Sequence, residues 1–473
     1  MDFFKRSRRR PAPAHPAERA GVLRGGFLWV TIGSCALVFL AAFENIAVTA
    51  VMPAVSAGLD GARWYALAFA GPLATGVIGM VAAGLWADRR GPIAPLYTSV
   101  GLFGAGLVVC GLAPAMEVLV AGRLLQGLGG GAITVALYVV VGRIYPERLQ
   151  PKLFAGFAAC WIVPALVGPA IAGTVAELLG WQWVFLGVVG LVAVAMVMVV
   201  PALRGTGGPQ AAEEGGNRGF GLLGWAALAA AAVLALNLAG GLPRVGGALS
   251  VVAIAVALAA VRPLLPRGTL TARHGLPSVI LTRGLVSAAF FGGDVYLPYL
   301  LTEKYGFAPA FAGLTLTVGG LAWAGASTVQ GRLGDRMSHA AGVRIGSALV
   351  LGSLLGILVT VALALPAAVA IVAWGIGGAG MGLMFPRLST LMLGLSAPAE
   401  RGFASSAGAI ADSLGGALSL AVGGLVFSAA FGGFTGVFAL STAVGLVAVV
   451  VAQRAAAPAG LPASDKRTME VAA

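Results

Sequence analysis

Gly84-Leu85-Trp86-Ala87-Asp88-Arg89 and Gly331-Arg332-Leu333-Gly334-Asp335-Arg336 share the pattern G-x-x-x-D-R, and each copy closes an apolar run. The number of runs between the copies decides the architecture. Apolar runs lie near 26–51, 66–86, 93–113, 116–141, 153–176, 182–202, 219–240, 246–265, 278–301, 308–331, 341–363, 367–391, 402–429 and 433–453. Each approaches or exceeds the roughly 20 residues that cross a bilayer as a helix. The first copy ends the second run and the second copy ends the tenth. Two duplicated six-helix halves would place equivalent helices six apart, so two helices have been inserted, and the runs 219–240 and 246–265 are that insertion. The expected fold is all-α and integral to the membrane, with 14 transmembrane helices in a 6+2+6 order. Duplicated halves that rock about a site near the bilayer midplane are a common transporter plan.

The expected organisation is a basic N-terminal tail (1–25), a first six-helix bundle (26–202), a linker (203–218), two inserted helices (219–266), a second linker (267–277), a second six-helix bundle (278–453) and a C-terminal tail (454–473). Of the 473 residues, 59% are apolar and 10% charged, against roughly a quarter charged in soluble domains. That balance excludes a soluble enzyme, a nucleic-acid binder and a disulfide scaffold. The net charge of +13 reads as topology. With the N-terminus inside, 26 of the 30 Lys and Arg fall in cytoplasmic segments, as retention of basic residues on that side requires, so both termini are expected in the cytoplasm. Arg outnumbers Lys 26 to 4 and Ala and Gly abound, which suggests a high-GC bacterial genome and a plasma-membrane address. Cys35, Cys110 and Cys160 lie in apolar runs without metal-ligand spacing and read as buried small hydrophobes.

Asp88-Arg89-Arg90-Gly91 after Gly84 resembles the loop signature of the major facilitator superfamily, and Gly122-Arg123-Leu124-Leu125-Gln126-Gly127 resembles its fourth-helix motif. Pro164-Ala165-Leu166-Val167-Gly168-Pro169, ending at Gly173, is similar to the fifth-helix motif of proton-driven antiporters. Glu44-Asn45, running to Pro53, and Gly180-Trp181-Gln182-Trp183 resemble stretches of the fourteen-helix drug:proton antiporter branch, with Glu44 where Asp is more usual and Gln182 where Arg is usual. The second loop copy has Met337 and Ser338 in place of the glycine. The resemblance implies a proton-coupled exporter of lipophilic or amphiphilic small molecules, working as a monomer by alternating access.

Arg123 and Glu44 sit at similar depth, some eight and seven residues from the outer ends of their helices at ~1.5 Å each, and are expected to pair. A charge at that depth is costly alone, and a pair whose acid protonates offers two states of different charge. Asp294 and Asp412 fall near mid-membrane with no basic partner evident in the sequence, and complete the expected proton-coupling set. The resemblance implies that Gly84, Asp88, Arg89 and Gly91, with Asp335, Arg336 and Arg401, form a gate in which Asp88 meets the start of the thirteenth run near Glu400. Pro164, Gly168, Pro169 and Gly173 allow close helix approach and bending. Asn45, Gln126, Tyr138, Trp161, Phe290, Phe291, Tyr299 and Trp323 are candidates to line a substrate cavity. Gly127–Gly131 has no Walker lysine or flanking strand, so nucleotide binding is rejected; no cofactor or metal is expected, and the energy is a proton gradient, worth ~2.3 kcal/mol per charge per 100 mV. The same fold could export a lipid. An integral-membrane enzyme is disfavoured, because His15, His274 and His339 are scattered and no acidic cluster has metal-ligand spacing.

Overall fold

In a computed structural model, the described residues are 27–146, 149–203, 216–239, 246–333, 336–396, 401–428 and 432–455. They form helices α1 (Leu28–Gly58), α2 (Tyr65–Arg90), α3 (Ile93–Gly111), α4 (Met116–Ile144), α5 (Gln150–Ala159), α6 (Ile162–Leu178), α7 (Gln182–Leu203), α8 (Gly216–Ala239), α9 (Gly246–Val261), α10 (Leu276–Tyr305), α11 (Pro309–Leu333), α12 (His339–Ala362), α13 (Ala367–Gly394), α14 (Arg401–Ser428) and α15 (Gly433–Ala452). Among the described residues, thirteen helices are long and apolar enough to cross a membrane. The remaining apolar run, expected over 153–176, is divided between α5 and the shorter apolar α6. No strand occurs among the described residues.

The break has a local cause. Pro164 has no N–H to offer the carbonyl of Cys160, and its ring crowds that carbonyl. The last bond of the first segment runs from Cys160 N–H to the Gly156 carbonyl (3.0 Å), and regular bonding resumes with Ala165 N–H to the Trp161 carbonyl (3.1 Å). The single run expected over 153–176 is therefore two helices. Pro53, Pro72, Pro169, Pro298 and Pro386 lie inside helices that continue through them.

Helix partners repeat across the chain. In the first half α2 packs on α4, α3 on α4, α1 on α6 and α7, and α3 on α7; in the second half α11 packs on α13, α12 on α13, α10 on α14 and α15, and α12 on α15. The halves meet along two seams, α2 with α14 and α6 with α11, and α1 also touches α10 and α11. Helix α8 packs on both α2 and α14, with α9 against α8, so the inserted pair covers the α2/α14 seam.

Glycine sets the tightest approaches. A Cβ at Gly131 of α4 would stand 2.1 Å from the Gly76 carbonyl oxygen of α2, and one at Gly127 would stand 2.3 Å from that of Pro72. The second half repeats the contact: Cβ atoms at Gly378 and Gly382 of α13 would stand 2.1 Å from the Gly319 and Trp323 carbonyl oxygens of α11. The run Gly127–Gly131 is thus a helix-packing surface. Gly91 ends α2 with φ +82°, a conformation that costs a Cβ-bearing residue.

Arginine also lies well inside the helices of the second half. Arg283 is in α10, and Arg387 is buried in α13, where its Nη1 donates to the Met337 carbonyl (2.6 Å). Both lie within the apolar runs 278–301 and 367–391, where partners inside the bundle receive their guanidinium groups. Cys110 is buried, but Cys35 and Cys160 are only half-buried.

Candidate functional site

The first half gathers its charge where α1, α2 and α4 meet. Arg123 of α4 donates from Nη1 to Glu44 Oε1 of α1 and to Gln126 Oε1 (2.8 Å), and from Nε to the Ala68 carbonyl of α2 (3.1 Å). The side chains of Arg123 and Glu44 are 4% and 5% exposed, so the pair is dry. Gln126 lies one turn after Arg123, is buried, and its Nε2 has no hydrogen-bond partner among the described residues. Three acceptors from three helices, one of them an ionisable acid, therefore converge on one guanidinium.

The second half fills the corresponding place differently. Gly127 and Gly131 of α4 match Gly378 and Gly382 of α13 by their contacts, and four residues before each pair stand Arg123 and Trp374. Trp374 is fully buried and stacks on Phe290 of α10, with ring centroids 4.4 Å apart. Where the first half has Arg123 on Glu44, the second has Trp374 on Phe290. Trp323 meets Phe290 edge-on (5.7 Å) and Phe385 obliquely (5.7 Å), which continues an aromatic row along the second half.

Asp412 of α14 has a partner that sequence reading missed. Arg283 Nε donates to Asp412 Oδ2 (2.7 Å), Ser287 Oγ donates to Asp412 Oδ1 (2.9 Å), and Arg283 Nη1 donates to Ser389 Oγ (3.1 Å). The guanidinium lies 4.4 Å over the Phe385 ring. Arg283 and its i, i+4 neighbour Ser287, on one helix face of the run 278–301, were the available signal. Asp294 is half-buried in α10 and has no hydrogen-bond or ion-pair partner among the described residues. The hydroxyl of Tyr65 in α2 donates to the adjacent Val295 carbonyl (3.0 Å) and ties the two halves together there.

At the end of the molecule remote from the start of α1, the halves close. Tyr65 stacks on Tyr299 (4.6 Å), Tyr299 meets Phe427 (5.6 Å), and Phe427 meets Phe434 (5.1 Å). Tyr299 belongs to this plug. A cavity of 230 Å³ beside it is lined by Pro53, Ser56, Ala57, Asp60, Ala62, Tyr299 and Glu303. On the other seam, Thr317 Oγ1 donates to the Leu166 carbonyl (3.3 Å), a Cβ at Gly313 would lie 3.0 Å from Ala50 and 3.2 Å from Pro169, and one at Gly320 would lie 2.8 Å from Ala165. Pro164, Gly168, Pro169 and Gly173 are all buried.

These features are those of a carrier with two unlike halves. A family model described as Major Facilitator Superfamily matches residues 34–377. The chain belongs to that superfamily. It is 30% identical over 435 residues to a probable multidrug-efflux transporter of Mycobacterium tuberculosis (strain ATCC 25618 / H37Rv), covering 84% of this chain and 87% of that one. It is 25% identical over 411 residues to a multidrug transporter protein of Bacillus subtilis (strain 168), covering 83% and 74%. Among solved structures, a peptide transporter in complex with sulfate superposes with TM-score 0.67 at 17% identity (93% and 97% of the chains), and a D-xylose–proton symporter with TM-score 0.65 at 13% identity (90% and 97%). Both likenesses show the major facilitator fold. The protein is therefore a multi-pass membrane transporter of this superfamily and not a member of an enzyme family.

The remaining candidate residues of this major facilitator chain take several positions. Asn45 is exposed beside Glu44, Tyr138 and Trp161 are exposed, Phe290 is buried, and Phe291 and Trp323 are half-buried. In the loop signature, Gly84 is half-buried, Asp88 and Arg89 are exposed at the end of α2, and Gly91 forms the turn, its N–H bonded to the Ala87 carbonyl (2.9 Å). Arg143 Nη2 donates to the same carbonyl (3.0 Å), fixing α4 to α2. In the second copy Asp335 lies outside the described residues, as does Glu400. Arg336 is exposed, and Arg401 opens α14.

Proposed function

We propose that the chain is a proton-coupled exporter of lipophilic or amphiphilic small molecules, of the multidrug-efflux type, in the plasma membrane of a bacterium with both termini cytoplasmic. The observation that carries this reading is the dry Glu44–Arg123–Gln126 cluster in the first half, opposite an aromatic row in the second. An acid held by one guanidinium in a low-dielectric site has two stable arrangements, ionised and paired, or neutral with Arg123 turned to Gln126 and the Ala68 carbonyl. Exchange between them changes the charge and packing at the junction of α1, α2 and α4. Such a change biases a rocking equilibrium between the halves. Asp294, which has no fixed partner in the described structure, serves as a second proton or substrate acceptor. Asp88 with Arg89, and Asp335 with Arg336 and Arg401, form the cytoplasmic latch of the outward-facing state.

The relatives named as multidrug transporters support the substrate class, and their agreement with the dry ion pair is the reason for choosing it over lipid export. The test is proton movement in energised inside-out vesicles, read with a pH-sensitive dye while a panel of lipophilic compounds is added. The expected result is substrate-triggered proton release in wild type that falls at least tenfold in Glu44→Gln. Transport of the same compounds by Glu44→Gln with undiminished proton release would sink the assignment of Glu44, and silence of wild type across the panel would favour lipid export.

A further inference from the structure

Two ion pairs lie inside this transporter, one buried and one partly exposed, and they are built for different purposes. The Arg123–Glu44 pair is 4% and 5% exposed and is enclosed by three helices. The Arg283–Asp412 pair is 14% and 17% exposed. It stands beside the junction of the halves: Gly416, one turn after Asp412 on α14, lies so close to α2 that an added Cβ would be 3.0 Å from Leu73, and Tyr138 of α4 in the same half as α2 is 45% exposed. The pair also stands at the end of the aromatic row, with Arg283 seated on Phe385 and Phe385 against Trp323. Ions next to a long apolar wall suit a molecule with a charged head and a lipophilic body.

We propose that Arg283 and Asp412 are a headgroup-recognition site for amphiphiles that carry both a cationic and an anionic group, with the apolar body lying along Phe385 and Trp323. This rests on the reading of the protein as an amphiphile transporter and names the substrate class within it. The charge balance of the site selects for such molecules. Each partner is supported from its own side, Arg283 by Ser389 and the Phe385 face, and Asp412 by Ser287. A zwitterion entering between them gives each charge a new counter-charge and leaves the net charge of the cavity at zero. A monocation that took Asp412 would leave the guanidinium in a low-dielectric cavity with only a hydroxyl and a ring face, and a monoanion on Arg283 would strand the carboxylate. Arg283 therefore acts as the determinant that rejects singly charged cations, which Asp412 alone would attract.

The experiment is equilibrium binding to the full-length chain in maltoside micelles, with three probes of equal chain length: a decylphosphocholine, a decyltrimethylammonium and a decyl sulfate. Wild type is expected to bind the phosphocholine at least tenfold more tightly than either singly charged probe. Arg283→Gln should shift the preference to the trimethylammonium probe by tenfold or more, and Asp412→Asn should shift it to the sulfate. The exchanged pair, Arg283→Asp with Asp412→Arg, should restore the phosphocholine preference and so separates recognition from misfolding. Tightest binding of the trimethylammonium probe by wild type, or an unchanged order in Arg283→Gln, would overturn the proposal. Binding is read without a gradient, so loss of antiport in vesicles with this order intact counts against the transport reading alone.

Discussion

Glu44 is tolerable inside the membrane because Arg123 is there, and Arg123 because Glu44, Gln126 and the Ala68 carbonyl occupy its donors. Removal of one partner leaves a charge that neither water nor another ion compensates, a loss of about 3–5 kcal/mol for buried pairs. Arg123→Gln is expected to lower the thermal unfolding midpoint in micelles sharply, and Glu44→Gln combined with Arg123→Gln to recover most of the loss, since both charges are then absent. A double variant as unstable as Arg123→Gln would show that the guanidinium acts mainly through its backbone bond to α2. The matching position in the second half, Trp374 on Phe290, holds no charge at all. Duplication supplied the place twice, and the side chains that fill it have diverged into an ionic and an aromatic version.

At the scale of the helix, two features carry predictions. The approach of α13 to α11 at Gly378 leaves no room for a methyl group, and the opposing atom is a backbone carbonyl that cannot rotate away. Gly378→Ala is expected to destabilise by about 1–3 kcal/mol through overpacking. Gly352→Ala in α12, where nothing lies within 4 Å of the added carbon, is expected to be neutral or slightly stabilising, because alanine favours a helix by about 1 kcal/mol over glycine. Thermal unfolding of both in the same micelles checks the contrast. The break between α5 and α6 follows from Pro164, so Pro164→Ala is expected to allow Ala159 and Ile162 to join in one helix. Substrate binding would survive that change and turnover would fall several-fold, read as transport against binding in the same preparation; unchanged turnover would remove the break from the working cycle.

For the whole molecule, the contacts that join the halves at the end remote from the start of α1 describe one conformational state. Tyr65 on Tyr299, Thr317 on the Leu166 carbonyl, and Gly313 against Ala50 hold that end closed. In a background lacking Cys35, Cys110 and Cys160, Ala50→Cys with Gly313→Cys brings two Cβ atoms near disulfide range, with a small parting of the helices. Oxidation is expected to arrest transport while ligand still binds from the opposite end, and reduction to restore it. Full transport by the cross-linked protein would mean that the halves do not separate at this seam. Among the described residues, the inserted helices α8 and α9 pack over the α2/α14 seam, so the two seams of the pseudosymmetric core meet the bilayer unequally.

The repeated G-x-x-x-D-R, its offset of eight helices and the near absence of charge within the runs determined an all-helical, fourteen-crossing membrane fold, because a bilayer tolerates little else and hydropathy reports it directly. The same depth reasoning placed Glu44 near Arg123. Sequence reading gave Asp412 no partner, since Arg283 lies 129 residues away; only helix packing sets α10 against α14. Tyr299, a cavity candidate by composition, stacks on Tyr65 across the halves and also lines the cavity beside that contact, because the direction a ring faces depends on which helix stands opposite. Position along a helix fixes how deep a residue sits. Its neighbour across the bundle is fixed by the tertiary arrangement alone, and the pairing of charges depends on that.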